Sequence, residues 1–171
     1  MSEFKQPTEL VELPSKGLLY PEESELSKGT IEIKYMTAKE EDILTNQSFI
    51  KKGIVLDKLM QSVIVSKIDY NDLLIGDKNA IMVACRVLGY GSEYKFKLDE
   101  EEHVIDLSLV ENKKINTELF KDRVNEFSFT LPFSKNNITF KLLSHKDEQA
   151  IQRELDGLRK IHKNNLPELS T

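Results

Sequence analysis

The apolar positions between residues 77 and 91 repeat as they do in a helix that protein covers on most of its sides. Asp77 precedes this run, and its carboxylate can cap the free amides of the first helical turn. Gly89 and Gly91 then supply the backbone freedom that ends a helix and turns the chain. This helix should therefore be the centre of the domain. Its apolar positions are Ala80, Ile81, Val83, Ala84, Val87 and Leu88, and its strongly polar positions are Lys78, Asn79 and Arg86.

The pattern predicts one strand and two further helices in the first half of the chain. Residues 30–35 alternate apolar and polar side chains, as a half-buried strand does. Thr37 and Glu40 have the spacing of a capping box, which predicts a short helix over residues 38–44. Apolar residues at helical spacing then predict a single helix over residues 49–65, which an internal glycine weakens.

The apolar period changes to two in the second half of the chain, which predicts two β-hairpins. The first pairs residues 94–98 with residues 104–107 around an acidic turn at 99–102. The second pairs residues 126–131 with residues 138–143 around an asparagine-containing turn. The predicted fold class is therefore α+β, with a helical N-terminal half around the buried central helix and antiparallel hairpins in the C-terminal half.

A C-terminal helix should follow the second hairpin. Ser144 can cap it, and acidic residues in its first turn favour the helix dipole. The helix carries one narrow apolar stripe between charged faces, so it can lie on the sheet, which we favour, or pair with a partner helix. The stripe consists of Ile151, Leu155, Leu158 and Ile161.

Residues 13–21 are apolar, and prolines at positions 14 and 21 bracket them. Because a proline disfavours helix in the residue before it, this segment should be extended, with a turn at residues 15–17. Such a segment can clip across the protein's own core or lie on a neighbour, and both alternatives remain open. The polar residues 1–12 should be mobile until they meet a partner. The predicted organisation is an arm at residues 1–24, an α+β domain at 25–144, and a helix and tail at 145–171.

Composition and charge narrow the classes of function. The 171 residues have a net charge of −5 and a pI of about 5.4, and their lysines alternate with acidic residues rather than forming a basic block. This distribution argues against nucleic acid as the main partner. No segment approaches the roughly 20 apolar residues of a membrane span, and the N-terminus does not resemble a signal peptide. The single cysteine, Cys85, lies in the apolar helix and is interpreted as a buried residue. We expect a soluble intracellular chain.

Candidate chemistry is sparse. His103, His145 and His162 do not have the spacing of zinc ligands. His103 adjoins the carboxylates at 99–102, which could chelate a hard cation, although a solvated hairpin tip is the favoured interpretation. Nucleophile-elbow and phosphate-loop motifs are absent from the sequence. Arg86 is expected to form a buried ion pair. The sequence thus predicts no catalytic, cofactor-binding or metal-binding residues, and no enzyme.

Four stretches, which together span most of the chain, carry a family resemblance. They are LPSKGLLYP at 13–21, IEIKYMTAKEEDIL at 31–44, LLIGDKNAIMVACRVLGYGSEYKFKL at 73–98, which is the most specific, and ITFKLLSHKDE at 138–148. These stretches resemble the small baseplate hub or hub-assembly proteins of T-even-like contractile-tailed bacteriophages. Relatives often carry cysteine pairs on the hairpin after GYGSEY, like a zinc knuckle, whereas the corresponding LDEEEHVIDL has none. This hairpin should therefore hold by strand pairing and packing alone.

The resemblance implies a structural or assembly role in the baseplate hub, through contacts with other hub proteins. The chain would occupy the host cytoplasm during assembly, and the tail baseplate if it is a permanent subunit. One alternative is an assembly chaperone absent from the mature virion. Another is a small metal-dependent hydrolase that uses His103 and the carboxylates at 99–102. The expected partner-binding residues are Leu13, Leu18, Leu19 and Tyr20 on the first arm and Ile151, Leu155 and Leu158 on the last helix.

Overall fold

The structure, a computed structural model, describes residues 6–120 and 122–161. The predicted tail, with His162, lies outside these residues, as do the first five. Short 3₁₀ turns connect the regular elements. The helices are α1 Ala38–Thr45, α2 Gln47–Lys51, α3 Val55–Val63, α4 Ile75–Tyr90 and α5 His145–Ile161. The strands are β1 Thr8–Glu12, β2 Thr30–Lys34, β3 Glu93–Leu98, β4 Glu101–Asp106, β5 Phe127–Thr130 and β6 Asn137–Phe140.

The protein has the predicted α+β class. Within the described residues, three antiparallel two-stranded sheets pair β1 with β2, β3 with β4, and β5 with β6. The strand over 30–35 and both hairpins are confirmed. The chain forms two compact units, which differ from the predicted segments. The first unit comprises the described parts of Met1–Ile68 and Gly76–Asn125, and the second comprises Asp69–Ile75 and the described part of Glu126–Thr171.

The single helix predicted over residues 49–65 is two helices, α2 and α3, and this prediction was wrong. Gly53 separates them, and its φ of +68° places it in the left-handed region that ends a helix. After this turn α3 buries one strongly apolar face, which contains Leu59, Met60 and Val63.

Residues 8–24 belong to the first unit and form no separate arm. β1 pairs with β2 in a stretch that was expected to be mobile, and the N–H of Leu13 extends this pairing by donating to the carbonyl of Gly29 at 2.8 Å. The chain then turns into the core, where Leu13, Leu19 and Tyr20 are buried. The structure therefore has the self-clip, the first of the two alternatives for residues 13–21.

The central helix α4 begins at Ile75, and Asp77 lies in its first turn rather than at its N-cap. The carboxylate of Asp77 accepts hydrogen bonds from the clip instead. The Ser15 N–H and hydroxyl donate to it at 2.9 and 2.7 Å, and the Tyr20 hydroxyl donates at 2.5 Å. Only one line of α4, formed by Asp77, Ile81 and Cys85, is buried. Most of the remaining positions of α4 up to residue 88 are half-buried, so protein covers the helix completely along this line and partly on its other sides.

Glu40 confirms the capping box and also anchors α1 inside the first unit. Its buried carboxylate accepts hydrogen bonds from the backbone N–H and the hydroxyl of Thr37 at 2.9 and 2.6 Å. Lys34 Nζ and the Ser62 hydroxyl donate to its other oxygen at 2.9 and 2.6 Å. Burial raises the pKa of Glu40, but the hydrogen bonds from Lys34, Ser62 and Thr37 outweigh it and lower the pKa to about 2.

Glu40→Gln is expected to lower the free energy of unfolding by about 2 kcal/mol near neutral pH, because charge-assisted hydrogen bonds are lost. The folded-state pKa lies below the ordinary value of 4.5, so the stabilisation by Glu40 is complete above pH 4.5 and is lost as the pH falls toward 2. Urea denaturation of both proteins across this interval measures the difference. The control Glu41→Gln changes an exposed neighbour on α1 and should match the native protein. A Glu40 difference that stays constant with pH would contradict the assignment.

Arg86 does not form the predicted ion pair. Its guanidinium donates to the carbonyls of Gly91 and Glu93 at 2.9 and 3.4 Å. It also lies over the rings of Tyr90 and Tyr94, 5.2 and 5.8 Å from their centroids. Two carbonyls and two aromatic faces thus replace the carboxylate, and Arg86 ties the end of α4 to the start of β3.

The second unit is organised around the start of α5. The N–H of His145 donates to the carbonyl of Leu73, and the buried imidazole packs edge-on against Tyr70 with 4.7 Å between ring centroids. Ser144 caps α5 as predicted, since its hydroxyl oxygen accepts from the Asp147 N–H at 3.4 Å. The Ser144 hydroxyl and N–H in turn donate to the Asp147 carboxylate at 2.8 and 3.0 Å. Hydrogen bonds from Lys141 and Ser144 lower the pKa of Asp147 to about 2.

Candidate protein-binding groove

The first unit has an open strand edge along β1. The Leu13 N–H donates to Gly29, and the Tyr35 N–H donates to the carbonyl of Pro7. In an antiparallel pair, bonded and non-bonded residue pairs alternate, so Val11 and Glu9 also bond across to β2. The intervening residues Thr8, Leu10 and Glu12 therefore direct their backbone N–H and C=O groups away from β2.

The opposite edge of this small sheet is closed. The outward N–H of Glu32 on β2 donates to the Ser66 hydroxyl at 2.9 Å, and its outward carbonyl accepts from the Val65 N–H at 2.9 Å. Leu10 faces Glu32 in the register, yet no described residue bonds its outward backbone groups, and its side chain is 68 % exposed. The unpaired edge of the sheet is therefore β1.

A groove of about 480 Å³ runs beside this edge, and we call it the β1–α4 groove. The helix α4 supplies one side with small and branched residues at helical spacing, on faces that are offset from its buried line. The segment after β4 contributes the remaining side chains. The residues that line the groove are Glu9, Leu10, Val11, Glu12, Pro14, Gly76, Asn79, Ala80, Val83, Ala84, Val87, Leu88, Leu107, Val110 and Asn112.

The charges around the β1–α4 groove are ordered along β1. The lining residues include the carboxylates of Glu9 and Glu12 and no lysine or arginine. A second cleft of about 660 Å³ adjoins the C-terminal end of β1 and shares Glu12 with the groove, and its four lysines outnumber its two carboxylates, Glu12 and Glu111. We call it the lysine cleft, and its lysines are Lys16, Lys28, Lys113 and Lys114.

None of the seven predicted partner-binding residues lines the β1–α4 groove, although the clip borders it at Pro14. Leu13, Leu19 and Tyr20 are core residues, so the expectation that they are available to a partner is corrected, and Leu18 is half-buried. On α5, Ile151 is 44 % exposed. Its neighbours on the predicted stripe, Leu155 and Leu158, are half-buried.

The groove residues were missed because their apolar pattern was assigned to other roles. Val83, Ala84, Val87 and Leu88 were expected to be core, and Leu10 was placed in a mobile stretch. An apolar helical stripe has the same spacing whether it faces a core or a groove, so periodicity does not distinguish them. Residues 8–12 (TELVE) place Leu10 and Val11 side by side and do not alternate, so the local pattern gave no strand signal for β1.

The candidate chemical groups lie elsewhere. His103 on β4 stacks on Phe96 with 5.4 Å between ring centroids, beside the exposed carboxylates at 99–102. Burial raises the pKa of Cys85 to about 11, which keeps this thiol protonated and unreactive. Among the described residues, no three His, Cys, Asp or Glu side chains are placed to hold a metal ion. In the described part of the chain, the helices are too short or too polar to cross a membrane.

Because the comparisons with known proteins found no match among family models, curated proteins or solved structures, the function of the groove is inferred from its geometry. The arrangement offers outward backbone donors and acceptors, an apolar wall and ordered charges, which together suit the binding of another polypeptide.

Proposed function

We propose that this chain is a non-enzymatic structural or assembly protein that acts through protein–protein contacts. The observation that carries this proposal is the β1–α4 groove, in which an unpaired strand edge adjoins an apolar helix face. Folded proteins usually cover such edges or blunt them with bulges or prolines, because an open edge pairs with other chains. An edge that is left open beside an apolar wall is suited to receive a partner.

The system in which it acts is proposed to be the baseplate hub of a contractile-tailed phage, with other hub proteins as partners. The sequence resemblance over residues 13–21, 31–44, 73–98 and 138–148 supports this part of the proposal. In the structure these stretches form the clip, β2 with α1, the central helix with β3, and β6 with the start of α5.

Capture of the tagged chain from phage-infected cells tests the proposal, together with mass spectrometry of purified virions. Hub proteins in the capture and the chain in the virion are expected for a permanent subunit. Hub proteins in the capture without the chain in the virion would identify an assembly chaperone. A tagged acidic protein of similar size is the control, and capture that does not exceed this control would overturn the hub role.

A further inference from the structure

We propose that the β1–α4 groove binds an extended segment of a partner protein, which adds a strand to β1. This inference rests on the proposed function and names the partner class of the same site. The segment would carry apolar side chains at alternate positions, a basic residue toward Glu9 and acidic residues toward the lysine cleft.

The backbone of β1 determines the shape of the occupant. Outward N–H and C=O groups recur at Thr8, Leu10 and Glu12, so donors and acceptors repeat at every second residue. An extended strand presents matching groups at the same interval, whereas a helix satisfies its own backbone groups internally. Main-chain hydrogen bonds then supply affinity, as in other cases of strand addition.

The walls of the groove determine which side chains the occupant presents. Alternate side chains of an added strand point to the same face, so every second residue of the segment would lie over α4. There it meets Ala80, Val83, Ala84 and Val87, whose small or branched side chains accept medium-sized apolar groups. The intervening residues of the segment face the other way and are free to be polar.

Charge determines the ends of the segment and argues against a second copy of this chain. Glu9 attracts a basic residue at one end, while the four lysines of the lysine cleft, which outnumber Glu12 and Glu111 there, attract acidic residues at the other. Pairing of β1 with β1 of a second copy would bring Glu9 and Glu12 of both chains onto one shared edge. These like charges, added to a net charge of −5, disfavour such a dimer.

Two designed peptides serve as probes for the full chain in isothermal titration. Valine alternates with threonine in both, with two glutamates at one end and two lysines at the other, and the second peptide has the reverse order. We expect the native protein to bind at least one of them, and the orientation that binds reports the direction of the strand. If neither peptide binds, the proposal is overturned.

Leu10→Pro separates strand addition from simple apolar contact. Proline removes the outward N–H of residue 10 and leaves the bonded pairs between β1 and β2 in place, as edge strands tolerate. We expect this variant to bind the peptide about tenfold more weakly. Leu10→Thr keeps the N–H and should bind within about threefold of the native protein, because backbone bonds carry the affinity. Equal binding by Leu10→Pro and the native protein would overturn strand addition.

A charge-reversal pair tests the lysine cleft. Lys113→Glu with Lys114→Glu should weaken binding of the peptide about tenfold, because its acidic end then meets like charge. The control, Lys51→Glu with Lys52→Glu, makes the same change in net charge on exposed residues at the end of α2 and should leave binding unchanged. Equal weakening in both double variants would show only a general charge effect and would overturn the assigned polarity.

A replacement variant and two further outcomes keep this inference distinguishable from the proposed function. If Leu10→Pro does not unfold cooperatively in urea, Ala84→Glu replaces it, since a charge on the α4 wall should also block the peptide. If the native protein binds neither peptide and Leu10→Pro still captures hub proteins, the strand inference is overturned and the hub role remains. A native dimer that Leu10→Pro dissociates would overturn it as well, because a second copy would be the occupant.

Discussion

Gly17→Ala is expected to lower the free energy of unfolding by about 3 kcal/mol or more, because the clip is built on direct backbone contact. Gly17 has a φ of +72°, which costs a residue with a Cβ atom about 1–2 kcal/mol. An added Cβ would also lie 2.3 Å from the carbonyl oxygen of Ser27 and 2.7 Å from the amide nitrogen of Gly29. Backbone atoms cannot move aside as a flexible side chain can, so the two costs add.

Urea denaturation of Gly17→Ala beside Gly76→Ala measures this effect. Gly76 lies in the first turns of α4, where an added Cβ would meet no atom within 4 Å. Alanine there should stabilise the protein by about 0.4–1 kcal/mol, because the unfolded chain loses conformational freedom. A loss below about 1 kcal/mol for Gly17→Ala would mean that the clip can shift away from Gly29 at little cost, against the packing described above.

The elements that the sequence predicted correctly depend on local signals. Thr37 and Glu40 are three residues apart, and the capping box needs nothing else to form. In the first hairpin, β3 and β4 meet through a two-residue turn at Asp99 and Glu100, both with positive φ, and alternation on either side sets the register. Ser144 and Asp147 form a similarly local cap at the start of α5.

The parts that the sequence did not predict depend on partners far along the chain. β1 is five residues long and does not alternate apolar and polar residues, and the residues of β2 that pair with it lie about twenty positions away, so its local pattern could not identify it. Asp77 was assigned to its own helix because an N-cap is the usual local role of an aspartate in that place. Its actual partners are about sixty residues distant at Ser15 and Tyr20.

The groove depends on a local pattern, the apolar positions of α4, and on a distant partner, the edge of β1. Composition and periodicity show only the local pattern, so they were insufficient to find the groove. The apolar positions of α4 were recognised, but their neighbours were not, because the line from Asp77 to Cys85 holds the clip while the adjacent faces border β1. Asp77 itself does not line the groove, so a substitution there acts first on the clip, through Ser15 and Tyr20.

Asp77→Ala is expected to lower the free energy of unfolding by about 3–5 kcal/mol, because three hydrogen bonds to a buried carboxylate are lost together. The Asp77 side chain is 1 % exposed and accepts from two groups of Ser15 and from the Tyr20 hydroxyl. Alanine would leave these buried donors without the carboxylate, and hydrogen bonds to charged groups contribute more than those between neutral groups. It would also remove a negative charge from the first turn of α4, where the helix dipole favours one.

A double-mutant cycle with Tyr20→Phe distinguishes the hydrogen bond from general disturbance of the core. Tyr20→Phe removes one donor to Asp77 and should cost about 1–2 kcal/mol by itself. Combined with Asp77→Ala, it should cost less than the sum of the two, because the phenylalanine no longer leaves a buried hydroxyl without the carboxylate. The exposed Asp42→Ala on α1 is the control and should stay within about 0.5 kcal/mol of the native protein. Strict additivity of Tyr20→Phe and Asp77→Ala would show that the two residues stabilise the clip independently, and the carboxylate would then not be its anchor.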